Sequence, residues 1–241
     1  MHHAPALLLF DVDGTLTYSA GLTRVAFELA ISELFRIPNS TRGIEPYGRT
    51  DRWIFREILK NNSIPTGDFE AQFERFSRVT SRYLESELRA SNKIKLHPGI
   101  SELLNTLAGM NYIYLALGTG NIRENAYLKL KPHGVEHYFP VGGFGSDDED
   151  RGEILRIACR RAEQHYGVAF EPQRIWVIGD TPLDIIHGRE IDAKTIAVAT
   201  GTYSFDELVV YKPDAVFVDF TEKKRFINLI SGNHTGSDTF H

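Results

Sequence analysis

Near its amino terminus the chain reads Leu7-Leu8-Leu9-Phe10-Asp11-Val12-Asp13-Gly14-Thr15-Leu16. An apolar run leads directly into two acids that are separated by one residue. Because side chains at i and i+2 lie on the same side of an extended chain, we expect Asp11 and Asp13 to converge beyond a buried strand. Gly14 permits the sharp turn that follows. If both carboxylates are buried, they need a cation or a shared proton to offset their repulsion. The alternative interpretation of this motif is a turn with two solvated acids.

Further apolar runs predict a buried parallel sheet. Their near-continuous hydrophobicity suits strands that are covered on both faces. Apolar residues at helical spacing lie between them, as in residues 100–107 and 154–162. This alternation predicts an α/β fold with a doubly wound, Rossmann-like parallel sheet. The predicted strands are residues 6–10, 112–117, 174–178, 195–199 and 215–218.

One long segment interrupts this alternation. Residues 19–95 contain helical patterns at 22–35, 51–61 and 69–90 and no convincing strand. We therefore predict a core formed by residues 1–18 and 96–230, with an α-helical cap domain inserted at residues 19–95. The polar residues 231–241 are expected to form a flexible tail.

The composition excludes several classes of protein. The chain has 241 residues, a formal net charge of −5 and a single cysteine, Cys159, which excludes an internal disulfide framework and a cysteine-based zinc cluster. An acidic chain without a basic stripe is not expected to bind nucleic acid. No apolar run is long enough to span a membrane, and the start lacks the pattern of a signal peptide. We expect a cytoplasmic protein, a monomer or a homodimer, without a membrane partner.

A second acidic cluster follows a later apolar run and reads Gly179-Asp180-Thr181-Pro182-Leu183-Asp184. Asp180 and Asp184 could lie at one corner between a loop and a helix. Acid pairs at two strand ends suit a hard divalent cation such as Mg²⁺. Capping of a helix by Asp184 is the alternative. An EF-hand is excluded, because its twelfth position, counted from Asp11, would be Leu22.

Two other segments favour binding of an anion. Gly118-Thr119-Gly120-Asn121 follows a predicted strand, and backbone N–H groups in such a loop can hold an anion. Arg151 follows a run of acids where a helix is expected to begin. A cation there opposes the helix dipole, and breaking a local rule is a mild pointer to function. A surface ion pair between Arg151 and the neighbouring acids is the alternative.

In this order the four motifs resemble those of the haloacid dehalogenase-like hydrolase superfamily. The resemblance covers about residues 6–202. Within the superfamily the chain is most similar to the phosphoglycolate phosphatase-like and phosphomutase-like group. The substrate-specificity loop of that group resembles Tyr47-Gly48-Arg49-Thr50-Asp51. The third motif of the family usually carries lysine, and Arg151 keeps the charge with a flatter, bidentate fork.

The resemblance implies a Mg²⁺-dependent phosphatase that acts on a small phosphorylated metabolite. Asp11 would attack phosphorus and form an aspartyl-phosphate. Asp13 would protonate the leaving alcohol and then deprotonate the attacking water. Asp11, the Asp13 backbone carbonyl and Asp180 would bind Mg²⁺, with Asp184 in a supporting role.

The resemblance also implies which residues bind the substrate. Thr119 and Arg151 would hold the oxygens of the transferred phosphoryl group, and Arg151 would stabilise the charge that develops there. We expect Gly120, Asn121 and Arg49 to contact the substrate, Arg49 from a cap that closes over the site. A solvated helix face or a salt bridge between cap and core is the alternative for Arg49.

Three other functions remain to be weighed. A sugar phosphomutase would share the core and differ in how the cap retains the intermediate. A haloacid dehalogenase needs the Asp nucleophile but neither a metal nor a second acid in the first motif, so Asp13, Asp180 and Asp184 count against it. A non-catalytic binder could lose its nucleophile freely, yet every expected role has a candidate residue here.

Overall fold

A computed structural model describes residues 4–91 and 93–232 of the chain. Its strands are β1 (Ala6–Phe10), β2 (Thr17–Tyr18), β3 (Lys95–Leu96), β4 (Ile113–Gly118), β5 (Gly142–Gly143), β6 (Ile175–Gly179), β7 (Lys194–Val198) and β8 (Ala215–Phe217). Six of them form a parallel sheet in the order β5-β4-β1-β6-β7-β8. β2 and β3 pair antiparallel as a separate two-stranded ribbon.

The helices of the described residues alternate with these strands after β3. They are α1 (Leu22–Phe35), α2 (Asp51–Asn61), α3 (Phe69–Ala90), α4 (Ile100–Ala108), α5 (Arg123–Leu130), α6 (Arg151–Tyr166), α7 (Pro182–Glu190), α8 (Phe205–Val209) and α9 (Lys223–Ser231). Short 3₁₀ turns lie at Lys131–His133, Glu136–Tyr138 and Pro172–Arg174. Among the described residues, no helix combines the length and apolar character that a membrane span requires.

Strand β1 lies at the centre of the sheet and is covered on both faces. Its alternating side chains explain this, because Ala6, Leu8 and Phe10 pack with α4, α5 and α9, whereas Leu7 and Leu9 pack with α6. β4 and β6 flank β1 in parallel register, so the loops that follow all three strands meet at one edge of the sheet. The predicted doubly wound α/β fold is confirmed. Ligands of such sheets bind at this edge, where the chain reverses its winding direction.

Helices α1, α2 and α3 build a second apolar cluster above that edge. Their aromatic side chains pack closely, with the rings of Phe55 and Phe76 stacked at a centroid distance of 4.4 Å. Ile122, from the loop between β4 and α5, is fully buried within the same cluster. The three helices lie inside residues 19–95, as expected from the sequence. The division into core and cap at these boundaries stays a prediction.

The last helix of the described residues ends close to the carboxyl terminus. Helix α9 extends to Ser231, whose hydroxyl lies 3.0 Å from the Tyr112 hydroxyl. Of the predicted tail 231–241, residues 233–241 lie outside the described residues, as do residues 1–3.

We expect Gly143→Ala to destabilise the sheet edge. A Cβ at this position of β5 would overlap the Ile154 carbonyl oxygen and lie 3.1 Å from the Ala158 backbone nitrogen, and neither backbone atom can move freely. Overpacking of this kind costs about 1–3 kcal/mol of unfolding free energy. Denaturant unfolding measures the loss. Gly109→Ala is the matched control, because a Cβ there would meet only the Thr106 oxygen at 3.4 Å; equal losses in both variants would contradict this packing.

Candidate active site

Three buried carboxylates meet at the carboxyl ends of β1 and β6. Asp11 follows β1 directly, Asp180 follows β6, and Asp184 lies in the first turn of α7. One carboxylate oxygen of each lies within 4.8 Å of the other two. We refer to Asp11, Asp180 and Asp184 as the carboxylate triad. The sequence predicted all three, and the side chain of Asp13 is not part of this group.

The turn after Asp13 is shaped by its glycine. Gly14 adopts a positive φ of 79°, a region that favours glycine. A side chain there would also collide with the Asp180 carboxylate. Thr15, the next residue, donates its hydroxyl hydrogen to Asp180 Oδ1 at 3.0 Å. The turn therefore brings the segment after β1 into direct contact with the acid that follows β6.

Burial raises the pKa of two members of the triad, Asp11 and Asp180. Desolvation raises the pKa of Asp11 to about 6, although Arg151 opposes the shift. Desolvation also raises the pKa of Asp180 well above its usual range, and the neighbouring charges of Asp184 and Asp11 add to this effect. Both carboxyl groups are thus harder to ionise than an exposed aspartate.

Arg151 supplies the positive charge that lies nearest to the triad. It begins helix α6, its side chain is buried, and it forms an ion pair with Asp184 and lies 3.3 Å from Asp11 Oδ1. These two carboxylates keep the pKa of Arg151 high despite its burial. The alternative, a surface ion pair of Arg151 with the neighbouring acids, does not describe this arrangement. Its Nε has no hydrogen-bond partner among the described residues.

Asp184 also caps its helix. Its Oδ2 accepts hydrogen bonds from the backbone N–H of Thr181, at 3.1 Å, and from the Thr181 hydroxyl, at 2.7 Å. The other oxygen of Asp184 accepts from Arg151. Asp184 can therefore cap its helix, as the sequence suggested, and also belong to the acidic cluster.

The loop after β4 lies next to the triad. Thr119 is fully buried, and its hydroxyl accepts a hydrogen bond from Asn121 Nδ2 at 2.9 Å. A hydrogen bond from Thr119 to Asp11 partly opposes the rise in the pKa of that carboxyl. Gly120 allows close contact with the segment that precedes α2, because a Cβ there would lie 2.5 Å from the Arg49 carbonyl oxygen. The loop therefore lies between Asp11, which Thr119 contacts, and the segment before α2, which Gly120 contacts.

Lys129 is a charged residue of the site that sequence analysis missed. It is completely buried in α5, and its ammonium group donates to Asp13 Oδ2 and to Asn121 Oδ1. Burial alone would raise the pKa of Asp13, but the charge and hydrogen bond of Lys129 lower it instead. The pattern did hold a signal, because Lys129 lies three residues from Ala126 on the buried face of α5.

Asp51 is the second residue that sequence analysis did not assign to the site. At the start of α2, its backbone N–H donates to the Gly120 carbonyl at 2.7 Å, and its Oδ2 accepts from the Ile122 N–H at 2.7 Å. Desolvation raises the pKa of this buried carboxyl to about 7, with Lys129 opposing the shift. Asp51 thus joins the helical segment to the loop after β4.

A cavity of about 500 Å³ lies between the triad and the helices α1 and α2. Asp11, Asp13 and Arg151 line it from the sheet side, and Arg24 and Tyr47 line it from the helical side. The predicted substrate residues also belong to its lining, namely Gly120, Asn121 and Arg49. The Arg49 guanidinium lies over the Trp53 ring at 4.7 Å from its centroid. The cavity is therefore large enough for a small metabolite.

The triad fits a hard divalent cation. Its ligands would all be carboxylate oxygens, and Asp11 Oδ1 is buried without a hydrogen-bond partner among the described residues. Mg²⁺ prefers such oxygen ligands and relieves the repulsion between adjacent carboxylates. Asp11, Asp180 and Asp184 are the side chains that could hold it.

Comparison with known proteins identifies related sequences and folds. The family model of haloacid dehalogenase-like hydrolases matches residues 5–192. The pyrophosphatase PpaX of Oceanobacillus iheyensis is 24% identical over 89% of this chain and 93% of its own length. A phosphoglycolate phosphatase of Haemophilus influenzae is 26% identical over 90% and 95%. A hydrolase from Pseudomonas syringae shares the fold with a TM-score of 0.68 and 22% identity, covering 93% of this chain and 99% of that one.

We expect Mg²⁺ to stabilise the protein through the triad. A ligand bound only to the folded state adds about 2.7 kcal/mol at one hundred times its dissociation constant. Thermal unfolding in millimolar MgCl₂, against NaCl of equal ionic strength, measures the shift. The increase in melting temperature caused by Mg²⁺ should become smaller as the pH falls through about 6, where Asp11 becomes protonated.

Asp180→Asn is the variant that localises this effect. Without Mg²⁺ it should be at least as stable as the native protein, because it removes a charge that burial disfavours. With Mg²⁺ its melting temperature should not rise. A shift that persists in this variant would place the ion elsewhere.

Asp51→Asn should change the dependence of stability on pH. Because the folded-state pKa is about 7 and the usual value is 3.8, the native protein loses stability as the pH rises from about 4 to about 7. Asparagine keeps the acceptor for Ile122 without the charge. We expect it to raise the unfolding free energy by about 1–4 kcal/mol at pH 8, since one pKa unit equals about 1.4 kcal/mol, and by little at pH 4.

The matched control for this measurement is Asp206→Asn. Asp206 also lies in the first turn of a helix, but its side chain is exposed. Denaturant unfolding of both variants at the two pH values gives the comparison. A gain for Asp51→Asn that is the same at both pH values would be inconsistent with the buried, uncompensated carboxyl.

Proposed function

Because the chain belongs to the haloacid dehalogenase-like hydrolase family, we propose that it is a Mg²⁺-dependent phosphatase of a small phosphorylated metabolite, phosphoglycolate-like in size and charge. The observation that carries the proposal is the setting of Asp11. This carboxylate follows the central strand, lines the cavity and lies beside both Arg151 and two further buried acids. The names of the two curated relatives, a pyrophosphatase and a phosphoglycolate phosphatase, support hydrolytic transfer of a phosphoryl group.

The proposed reaction begins with attack of an Asp11 oxygen on phosphorus. The new O–P bond forms as the bond to the leaving oxygen breaks, and Asp13, in its protonated form, gives that oxygen a proton. In the second step Asp13 takes a proton from the water that attacks the aspartyl-phosphate, so Asp11 is released with inorganic phosphate. A pKa of about 6 leaves Asp11 mainly ionised at neutral pH, as a nucleophile requires.

Other residues would hold the phosphoryl group during this reaction. The Thr119 hydroxyl and the unpaired Arg151 Nε are donors that could bind its oxygens. Asp11, the Asp13 backbone carbonyl and Asp180 would hold Mg²⁺, with support from Asp184. When bound, the ion supplies positive charge that lowers the repulsion between a carboxylate and a phosphate. Gly120, Asn121 and Arg49 would contact the remainder of the substrate.

Two other predictions belong to this proposal. A cap formed by residues 19–95 would exclude water while the phosphoryl group is transferred. A cytoplasmic location, as a monomer or a homodimer without nucleic-acid or membrane partners, stays a prediction from the sequence.

We expect Asp11→Asn to reduce phosphate release by at least about 10³-fold, because loss of a nucleophile removes the covalent route. The fold should persist, since asparagine resembles the protonated carboxyl that burial favours at this position. Phosphate release and thermal unfolding measure the two effects. Turnover close to that of the native protein would exclude Asp11 as the nucleophile.

A panel of phosphorylated metabolites, with Mg²⁺ and with EDTA, tests the class of substrate. It should include phosphoglycolate, pyrophosphate, sugar phosphates and a haloacid. Free phosphate as the product supports the phosphatase, whereas isomerisation of a sugar phosphate supports the phosphomutase. Release of halide in EDTA supports a dehalogenase, and no turnover of any compound supports a non-catalytic binder.

A further inference from the structure

Lys129 is a buried charge that the proposed reaction does not use. Its relative exposure is 0%, although lysine almost never lies fully buried without a partner. The ammonium group contacts the Asp13 carboxylate and the Asn121 side-chain oxygen. Taking a charge out of water costs several kcal/mol unless the protein compensates for it. The position of Lys129 therefore depends on these two contacts.

The contacts of Lys129 form part of a longer chain of hydrogen bonds. Asn121 accepts from Lys129 through Oδ1 and donates through Nδ2 to the Thr119 hydroxyl at 2.9 Å. The chain thus runs from Asp13 through Lys129 and Asn121 to Thr119. It connects the acid after β1 with the loop after β4.

The two acids of the first motif therefore have different partners. Asp11 lies beside Arg151 and within the carboxylate triad, whereas Asp13 is paired with Lys129 and lies outside the triad. The side chain of Asp13 is 36% exposed and lines the cavity. Lys129 binds its Oδ2, and Oδ1 is buried. The lysine thus fixes the orientation of a carboxylate that forms part of the cavity wall.

We propose that Lys129 is a positioning residue for the leaving-group step, holding the Asp13 carboxyl at the wall of the cavity where the leaving oxygen of the substrate would lie. This inference rests on the proposed phosphatase function. Lys129 acts through Asp13 and does not itself contact the phosphoryl group. Its loss should therefore affect proton transfer to the leaving group more than attack on phosphorus.

Substrates with different leaving groups separate these two effects. p-Nitrophenolate leaves without a proton, whereas the alkoxide of an alkyl phosphate such as phosphoglycolate requires one. The ratio of kcat/KM for the alkyl ester to that for the p-nitrophenyl ester reports the leaving-group step, because kcat/KM excludes later hydrolysis of the phosphoenzyme. In Lys129→Met we expect this ratio to fall by at least about tenfold, at the low end of what general acid catalysis contributes.

A double-mutant cycle tests whether the effect passes through Asp13. In an Asp13→Asn background, Lys129→Met should leave the ratio unchanged, because the proton donor is already absent. Lys131→Met is the matched control, since this exposed lysine lies two residues further along the chain, and it should leave the ratio unchanged. Lys129→Gln keeps a hydrogen-bond donor and carries the same comparison if the methionine variant does not fold.

The possible outcomes are distinct. Equal losses for both esters in Lys129→Met, or a further loss in the Asp13→Asn background, would show a purely structural role and overturn the inference. The native protein tests the proposed function separately, because failure to hydrolyse either ester in Mg²⁺ would contradict the phosphatase itself. Hydrolysis of both esters with an unchanged ratio in the Lys129 variants would contradict only the positioning role.

Discussion

The repulsion among three carboxylates within 4.8 Å of one another governs the architecture around the active site. Water cannot screen these charges, because all three residues are buried. A buried arginine at the start of α6 offsets part of this negative charge, although a cation at that position opposes the helix dipole. Thr15 adds a hydrogen bond to Asp180, and Gly14 leaves room for that carboxylate. The residues at the start of α6 and in the turn after β1 therefore suit the charges of the carboxylates better than they suit local helix or turn preferences.

Regular periodicity made much of the fold predictable. The bounds of β1, α1, α2 and α3 agree with the sequence prediction, because their apolar residues repeat at intervals typical of strands or helices. β5 consists of Gly142 and Gly143, which carry no hydrophobic signal. The bounds of α5 were not predicted either, since its buried face includes Asn125 and Lys129 beside Ala126 and Leu130. A polar residue on a buried face weakens the pattern that reveals a helix.

The site was predictable where neighbours in space are also neighbours in sequence or follow adjacent strands. Asp11 and Asp180 follow strands that pair directly, so the topology alone brings them together. Asp51 and Ile122 form a hydrogen bond although they are 71 residues apart in the sequence, and no local sequence pattern predicts such a contact. Acids are also common in the first turn of a helix because the helix dipole favours negative charge there. The position of Asp51 in the sequence therefore gave no sign of its contact with the loop after β4.

The burial of Ile122 among the helices α1, α2 and α3 couples two parts of the molecule. This residue belongs to the same short loop as Thr119 and Asn121, and Asp51 binds the backbone of that loop in both directions. Separation of the helices from the sheet would therefore expose Ile122 and release the loop together. If the loop binds an anion as in the proposed reaction, thermodynamic reciprocity requires that the bound anion stabilises the contact between the helices and the sheet, and that this contact strengthens binding of the anion. In the proposed phosphatase, entry and release of substrate would thus be linked to the burial of Ile122 and to the two hydrogen bonds of Asp51.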